Sequence, residues 1–478
     1  MNPDSPTAPR RARLWFWLAC VLPLLGPDLH AQRPPNIVLI YVDELGWRDV
    51  GFMGSRYYET PHIDRLAAEA MVFTAAYSNA PNCAPSRASL LSGSYPPRHG
   101  IYTVAPAARG PARLRRLITA PDRTALDTGL FTIAEALHEV GYVSAAIGKW
   151  HLGGAGSLPE DHGFDVGIAG AAAGATPTHF APYRGARRVL PDVGDTGAPG
   201  EYLTDRLTDE ALTFIDANAA RPFFLYLSHY AVHTPIEAKG QLVARFADTP
   251  AVDGQSNATY AAMIASVDES VGRILARLDA LDLAENTVVI FHSDNGGFGP
   301  VTSMAPLRGS KGMLYEGGIR VPLAVRWPGR VQADVVRDEP VIGLDLYPTM
   351  LALAGADGSR NRHVDGVSLV AALTAGAPLA ERALYWHFPA YLEADASTAG
   401  PWRTTPAGAI RQGRYKLLEF FEDGRTELYD LVADPGERRD LIDSLPSVAA
   451  DLLRLLHTWQ DTTGAPVPRE RNPAYEKN

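Results

Sequence analysis

From Asn36 to Val42 the chain reads NIVLIYV, an almost unbroken apolar, β-branched run with no polar face. Such a run predicts a strand buried on both sides, as in a parallel sheet covered by helices. The period then changes. Thr60-Pro61 reads as a helix N-cap followed by proline at the first helical position, with the helix running to about Glu69. Residues 71–77 predict another strand, 131–140 a helix ended by Gly141, and 142–147 the next strand. Phe223–Ser228 is again apolar throughout, 259–278 has helical spacing, and 287–291 predicts a further strand. Alternating strands and helices imply an α/β fold with a mostly parallel sheet flanked by helices.

Polar residues gather just beyond these strands. Asp43 and Glu44 follow the first, and Gly148-Lys149-Trp150-His151-Leu152-Gly153 follows the strand at 142–147. His233-Thr234-Pro235 comes after Phe223–Ser228, and His292-Ser293-Asp294-Asn295-Gly296-Gly297 comes after 287–291. Open α/β sheets bind ligands outside the carboxyl ends of their strands. One such cluster is an ordinary solvated loop; four in one chain point to a site. After about Gly355 the texture shifts to short strands at Ala383–Phe388, Tyr415–Phe420 and 426–431, then an amphipathic helix at 447–458. The expected division is a leader at 1–31, a catalytic α/β domain at 32–355 and a smaller C-terminal α+β subdomain at 356–478. The Pro- and Gly-rich stretches at 104–112 and 172–200 read as loops.

Composition narrows the function. With 46% hydrophobic and 21% charged residues the chain is an ordinary globular one. A formal charge of −10 argues against nucleic acid as the main partner, while leaving room for an anionic ligand in a locally basic cleft. Arg10, Arg11 and Arg13 precede an apolar stretch from Leu14 to Leu25 that is too short to span a bilayer, and Leu29-His30-Ala31 resembles a cleavage site. The expected product is exported, periplasmic or extracellular, with no transmembrane anchor. Cys20 falls in the leader, where a lipobox reading is poor, so Cys83 is the only cysteine of the mature chain. An unpaired thiol is a hazard in an oxidising compartment.

That cysteine opens the string Cys83-Ala84-Pro85-Ser86-Arg87-Ala88-Ser89-Leu90-Leu91-Ser92-Gly93. The string resembles the C-x-P-S-R signature of the type I sulfatases, nearest to the arylsulfatase and N-acetylgalactosamine-6-sulfatase type. Gly148-Lys149-Trp150-His151, His162-Gly163-Phe164-Asp165 and the segment from Gly309 to Gly318 extend the resemblance from about Pro35 to the C-terminal helix. It implies an alkaline-phosphatase-like sheet and hydrolysis of sulfate esters, here expected on a sulfated carbohydrate. It also implies that a formylglycine-generating maturation enzyme oxidises Cys83 to formylglycine. One hydroxyl of the hydrated aldehyde attacks sulfur, and deprotonation of the other later expels sulfate.

The resemblance implies further roles. Arg87 holds the formylglycine hydroxyl, Lys149 and Lys311 bind sulfuryl oxygens, His151 receives the proton in the elimination step, and His233 is the general acid. Asp294 binds metal and takes the attacking proton. Asp43, Glu44, Cys83, Asp294 and Asn295 make up the metal set, and their oxygens suit Ca²⁺ ahead of Mg²⁺. Glu44 departs from the family's usual second aspartate, and His229 is an alternative to His233. Lysine is scarce in this chain, and Lys239, Lys416 and Lys477 are expected to be solvated surface residues. Arg109, Arg113, Arg115 and Arg116 form one basic run and Arg184, Arg187 and Arg188 another; such runs are more often solvated than bound to a polyanion. Trp386 and Phe388 are expected to pack a second sheet. Two other readings stand beside the sulfatase: a phosphonate or phosphate-ester hydrolase on the same scaffold, and a non-catalytic glycan-binding relative.

Overall fold

The structure, a computed structural model, describes residues 33–476 apart from 187, 195 and 362. The expected leader at 1–31, with Cys20, lies outside the described residues, as does Lys477. Eight strands form the main sheet: β1 (Asn36–Val42), β2 (Met71–Phe73), β3 (Val143–Gly148), β4 (Val166–Ile168), β5 (Phe223–Ser228), β6 (Thr287–Ser293), β7 (Leu323–Arg326) and β8 (Val335–Arg337). Their spatial order is β4-β3-β5-β1-β6-β7-β2-β8. The first five in that order run parallel. β7 is antiparallel to both of its neighbours, and β2 and β8 are parallel to each other.

Burial explains why β1 shows no alternation. Val38, Ile40 and Val42 face one layer with the helices Leu203–Asn218 and Ala258–Ala280. Ile37, Leu39 and Tyr41 face the other, with the helices Cys83–Ser92, Ile133–His138 and Leu346–Ala354. Both faces of the strand are therefore core, and only an all-apolar sequence suits it.

Several expectations need correction. Residues 71–77 do not form one strand. The chain breaks at Thr74, whose backbone N–H donates to Arg337 O at 2.9 Å, and Ala76–Tyr77 pairs instead with Val341–Ile342 in a separate two-stranded ladder. The helix at 60–69 exists as Pro61–Ala68 with Thr60 at its N-cap, where the Thr60 carbonyl accepts from Asp64 N at 2.8 Å but its side chain makes no cap bond. The Thr60 hydroxyl accepts from Gly51 N and donates to Asp64, while Asp268 on a distant helix accepts from His62 N and Ile63 N at 2.9 and 2.8 Å. The helix Ile133–His138 starts with a full capping box between Thr132 and Glu135. Gly141, with φ +86°, turns the chain into β3.

The C-terminal region is a four-stranded antiparallel sheet, β9 (Ala383–Phe388), β10 (Ala407–Gln412), β11 (Tyr415–Phe420) and β12 (Thr426–Asp430), with the helix Pro446–Thr463 against it. It shares a core with Tyr77, Tyr95 and Ile342. Trp386 and Phe388 are buried there, and the Trp386 indole donates to Ser78 O at 2.9 Å. Lys416 on β11 is not a surface lysine. It is fully buried, 3.0 Å from Glu316 Oε1 and 2.9 Å from Glu437 Oε1, and ties the appended sheet to the segment that carries Lys311. Among the described residues no helix is long and apolar enough to cross a membrane.

Candidate active site

The parallel strands deliver their polar residues to one point. β1 ends at Val42, and Asp43 N donates to Ala231 O beyond β5, while Asp294 N beyond β6 donates back to Val42 O. Glu44 takes a left-handed φ of 62°, and its N–H donates to Asp294 Oδ1 at 3.0 Å. At the end of β3, Gly148 has φ +105°, and a Cβ there would lie 2.0 Å from Ser228 O. Only glycine lets β3 approach β5 closely enough for Lys149 N to donate to that carbonyl at 2.7 Å.

Cys83 begins the helix Cys83–Ser92, one turn ahead of Arg87, so the helix aims both at the strand ends. Arg87 is fully buried. Its Nε and Nη2 donate to Asp294 Oδ2 at 3.0 and 2.7 Å, and Nη1 donates to Lys149 O at 3.1 Å, to the Tyr226 hydroxyl and to Ser228 Oγ. Lys149 Nζ lies 2.6 Å from Asp43 Oδ2. Glu44 Oε1 contacts Lys311 Nζ, sits 2.8 Å from His233 Nε2 and 4.0 Å from Cys83 Sγ.

His233 is oriented through its other nitrogen. Nδ1 donates to Thr234 O at 2.7 Å, which leaves Nε2 facing Lys311 Nζ at 3.3 Å. His151 projects into the same cleft with φ 61° and makes no hydrogen bond through Nδ1. The alternative, His229, is buried elsewhere, against Ser270 Oγ at 3.1 Å.

Charge and burial set the protonation states. Burial alone would raise the Asp43 carboxyl, but the charges of Lys149, His233 and Arg87 outweigh it and hold Asp43 well below the usual range. Asp294 is pushed up to about 7 by burial and by the charge of Asp43 beside it. Burial pushes the Cys83 thiol well up and lowers His151 and His233. Lys311 is lowered to about 8 by burial.

These groups meet in a cleft of about 720 Å³ lined by Cys83, His151, His233, Lys311, Phe298 and Arg403, among others. A larger open cleft of about 1130 Å³ lies beyond residues 299 and 310 and contains none of the strand-end groups. Of the residues proposed from the sequence, Asp43, Glu44, Cys83, Arg87, Lys149, His233, Asp294 and Lys311 are linked by the contacts above, and His151 lines the same cleft. Asn295 is buried next to Asp294, with Oδ1 unpartnered and Nδ2 donating to Gly296 O at 2.9 Å. The basic runs divide. Arg115 turns inward, its Nη1 donating to the carbonyls of Ala108, Arg109 and Gly110, whereas Arg109 and Arg188 line the cleft.

Sequence reasoning missed three contributors. His179 Nε2 donates to His233 O at 3.1 Å, and Tyr226 and Ser228 on β5 anchor Arg87. A lone histidine in the loop at 172–200 carries no pattern that would single it out. Tyr226 and Ser228 look like plain strand residues.

Buried cations, carboxylates and histidines gathered at the carboxyl ends of a mostly parallel sheet, with an antiparallel sheet appended, mark an alkaline-phosphatase-like fold. The chain matches the family model "Sulfatase" over residues 35–356, and "N-sulphoglucosamine sulphohydrolase, C-terminal" over residues 310–460. It is 36% identical over 405 residues to N-acetylgalactosamine-6-sulfatase of Canis lupus familiaris, covering 80% of this chain and 74% of that protein. It is 32% identical over 508 residues to a sulfatase of Formosa agariphila, covering 91% and 90%. The solved structure of Ps i-CgsB in complex with k-i-k-neocarrahexaose is similar at TM-score 0.73 and 32% identity, covering 89% of this chain and 93% of that one. The chain belongs to the sulfatase family and is a sulfuric ester hydrolase.

Proposed function

We propose that the protein removes sulfate from a sulfated saccharide, using formylglycine made from Cys83 and a divalent cation, calcium ahead of magnesium. The observation that carries this reading is the gathering of Cys83, Arg87, Lys149, His151, His233 and Lys311 around two buried aspartates at the strand ends. The saccharide assignment is supported by the sugar complex of Ps i-CgsB and by the name of the canine relative.

Both implied groups fit the residues present. Burial keeps the Cys83 thiol protonated, so the unmodified side chain is a poor nucleophile. Asp43 Oδ1 and Asn295 Oδ1 are buried without a hydrogen bond, and Asp294 is raised by its neighbouring carboxylate. That donor set calls for a hard cation. Asp43, Asp294, Asn295 and Glu44 would hold it, next to the side chain of residue 83. Formylglycine supplies a gem-diol whose one hydroxyl is nucleophilic and whose other can lose a proton. A bound calcium supplies positive charge against the sulfuryl oxygens.

The chain's own residues do the rest. Lys149 and Lys311 neutralise oxygens of the sulfuryl group as charge spreads over them. Arg87, held by five polar contacts, fixes Asp294 and the first turn of the helix that carries residue 83. Asp294, fixed by the Arg87 guanidinium, takes a proton from the attacking hydroxyl. His233, protonated on Nε2 against Glu44 Oε1, delivers that proton to the leaving sugar oxygen, and His151, lowered by burial, accepts one when sulfate leaves. Residues 32–355 would carry this chemistry, and 356–478 would complete the cleft wall through Arg403. Export to the periplasm or outside the cell is part of the same proposal, supported by the leader-like segment at 1–31.

The test is peptide mass spectrometry of residue 83 in protein made with a formylglycine-generating partner, alongside turnover of sulfated saccharides, 4-nitrophenyl sulfate and an aryl phosphonate. Aldehyde at residue 83 with sulfate release supports the proposal. Preferential turnover of the phosphonate, or full activity of Cys83→Ala, would refute it. Cys83→Ala is expected to lose turnover and keep its unfolding transition.

A further inference from the structure

The cleft carries more positive charge than desulfation alone requires. Arg109, Arg188, Lys311 and Arg403 line it against two carboxylates, Glu44 and Glu393, in a chain whose formal charge is −10. Lys311 is accounted for by the chemistry above; the three arginines are not.

They come from three separate parts of the chain, and each is held in place. Arg109 sits on a loop fixed by a bridge between Ala108 and Tyr391 and by the Arg115 guanidinium beneath its carbonyls. Arg403 lies on the short strand Trp402–Thr404, paired with Leu392–Glu393, and its guanidinium is 5.5 Å from the Phe298 ring centroid. Arg188 projects from a hairpin closed by the Arg184–Val189 bridge and by Gly185 N donating to Arg188 O at 2.8 Å.

Their pairing is uneven. Arg109 Nε is 2.9 Å from Glu393, whose side chain is 44% exposed, and Arg403 Nε is 2.9 Å from Asp395. Arg188 is exposed and, among the described residues, has no carboxylate partner. An arginine with no carboxylate partner among the described residues, on the wall of a locally basic cleft in an acidic protein, is placed to meet a ligand anion. The planar fork of a guanidinium matches sulfate and carboxylate alike. A volume of about 720 Å³ falls within the roughly 300–1,000 Å³ that holds a drug-sized ligand, so the cleft has room for more than one sulfated ring.

We propose that Arg188, with Arg109 and Arg403, forms a second anion subsite, so that the preferred saccharide carries a further sulfate or carboxylate besides the scissile sulfate ester. The identity of the first anion rests on the proposed function above; the second subsite has its own test.

Binding is measured by titration calorimetry on full-length Cys83→Ala, which does not consume the ligand. The probes are a monosulfated disaccharide, its disulfated counterpart, and a monosulfated disaccharide with a uronate as the second ring. A charge-assisted hydrogen bond of this kind corresponds to a tenfold or larger gain, so the second anion is expected to lower Kd by about ten times or more. Adding Arg188→Ala is expected to remove most of that gain and to flatten its dependence on salt, and Arg109→Gln to reduce it further. Whichever doubly anionic probe binds more tightly shows whether sulfate or carboxylate is preferred. Equal affinity for singly and doubly anionic probes overturns the proposal. So does a gain that survives in both arginine variants. Turnover of 4-nitrophenyl sulfate by matured wild-type protein tests the hydrolase reading separately, so the two can fail independently.

Discussion

Replacing Lys416 by methionine tests how the appended sheet is held to the catalytic part. Its ammonium sits 3.0 Å from Glu316 Oε1 and 2.9 Å from Glu437 Oε1, with all three side chains fully buried. Each such pair is worth about 5 kcal/mol at an effective dielectric of 20. Burying the lysine offsets much of this, and removing one partner from a buried ionic group typically costs about 3–5 kcal/mol. Methionine keeps the length of the stem and leaves two carboxylates facing each other. Glu316 retains the Tyr77 hydroxyl at 2.7 Å. Among the described residues the Glu437 carboxylate then keeps only the backbone N–H of Glu316, at 2.7 Å. Burial already pushes the Glu437 carboxyl up to about 7, with Glu316 adding to it, and loss of the lysine raises it further.

A carboxyl raised in the folded state loses stability as pH climbs from its unfolded value toward its folded one. The destabilisation of Lys416→Met is therefore expected to reach about 3–5 kcal/mol at pH 8. It should shrink at pH 5, where Glu437 takes a proton instead. Guanidinium unfolding at both pH values, followed by tryptophan fluorescence, reads the difference; Trp386, whose ring lies 5.2 Å from Tyr77, is at the same junction. Lys416→Arg should recover part of the loss. A cost below about 1 kcal/mol, or one independent of pH, would show that the cluster does not hold the junction.

Two further outcomes concern the chemistry. His233→Gln should slow sugar sulfates by about 10²–10⁴-fold and 4-nitrophenyl sulfate much less, because a phenolate of low basicity leaves without a proton; equal losses on both substrates would remove His233 as the acid. Prolonged chelation should abolish turnover, with calcium restoring it more fully than magnesium. Full activity of metal-free protein, checked by elemental analysis, would contradict the donor set built on Asp43, Asp294 and Asn295.

The sequence revealed most where a residue's pattern and its environment coincide. β1, β5 and β6 are buried on both faces, so their apolar runs mark them directly, and the polar clusters after them are the site. β10 was not legible. Ala407–Gln412 reads AGAIRQ, with little β propensity, and forms a strand because β9 and β11 flank it and bury its first five residues. The break at Thr74 depends on Arg337, more than 250 positions away. Lys416 was misread for a related reason: a lysine in an exposed-looking strand is indistinguishable from one whose two carboxylates arrive from distant segments. Glu44 was expected to turn to the metal, yet its left-handed backbone also directs Oε1 to His233 and Lys311. Composition says nothing of that geometry.

The helix Cys83–Ser92 has every residue buried, and Cys83 itself is 1% exposed. In the folded protein residue 83 opens into the cleft, and a modifying enzyme would have to bring its catalytic groups there. On the proposed chemistry, oxidation of Cys83 would precede folding, while this stretch is still extended, and folding would close the window. A copy that folds with its thiol intact is sealed in that state. The fraction of active molecules would then be decided by a race during synthesis and stay fixed for the lifetime of the folded protein.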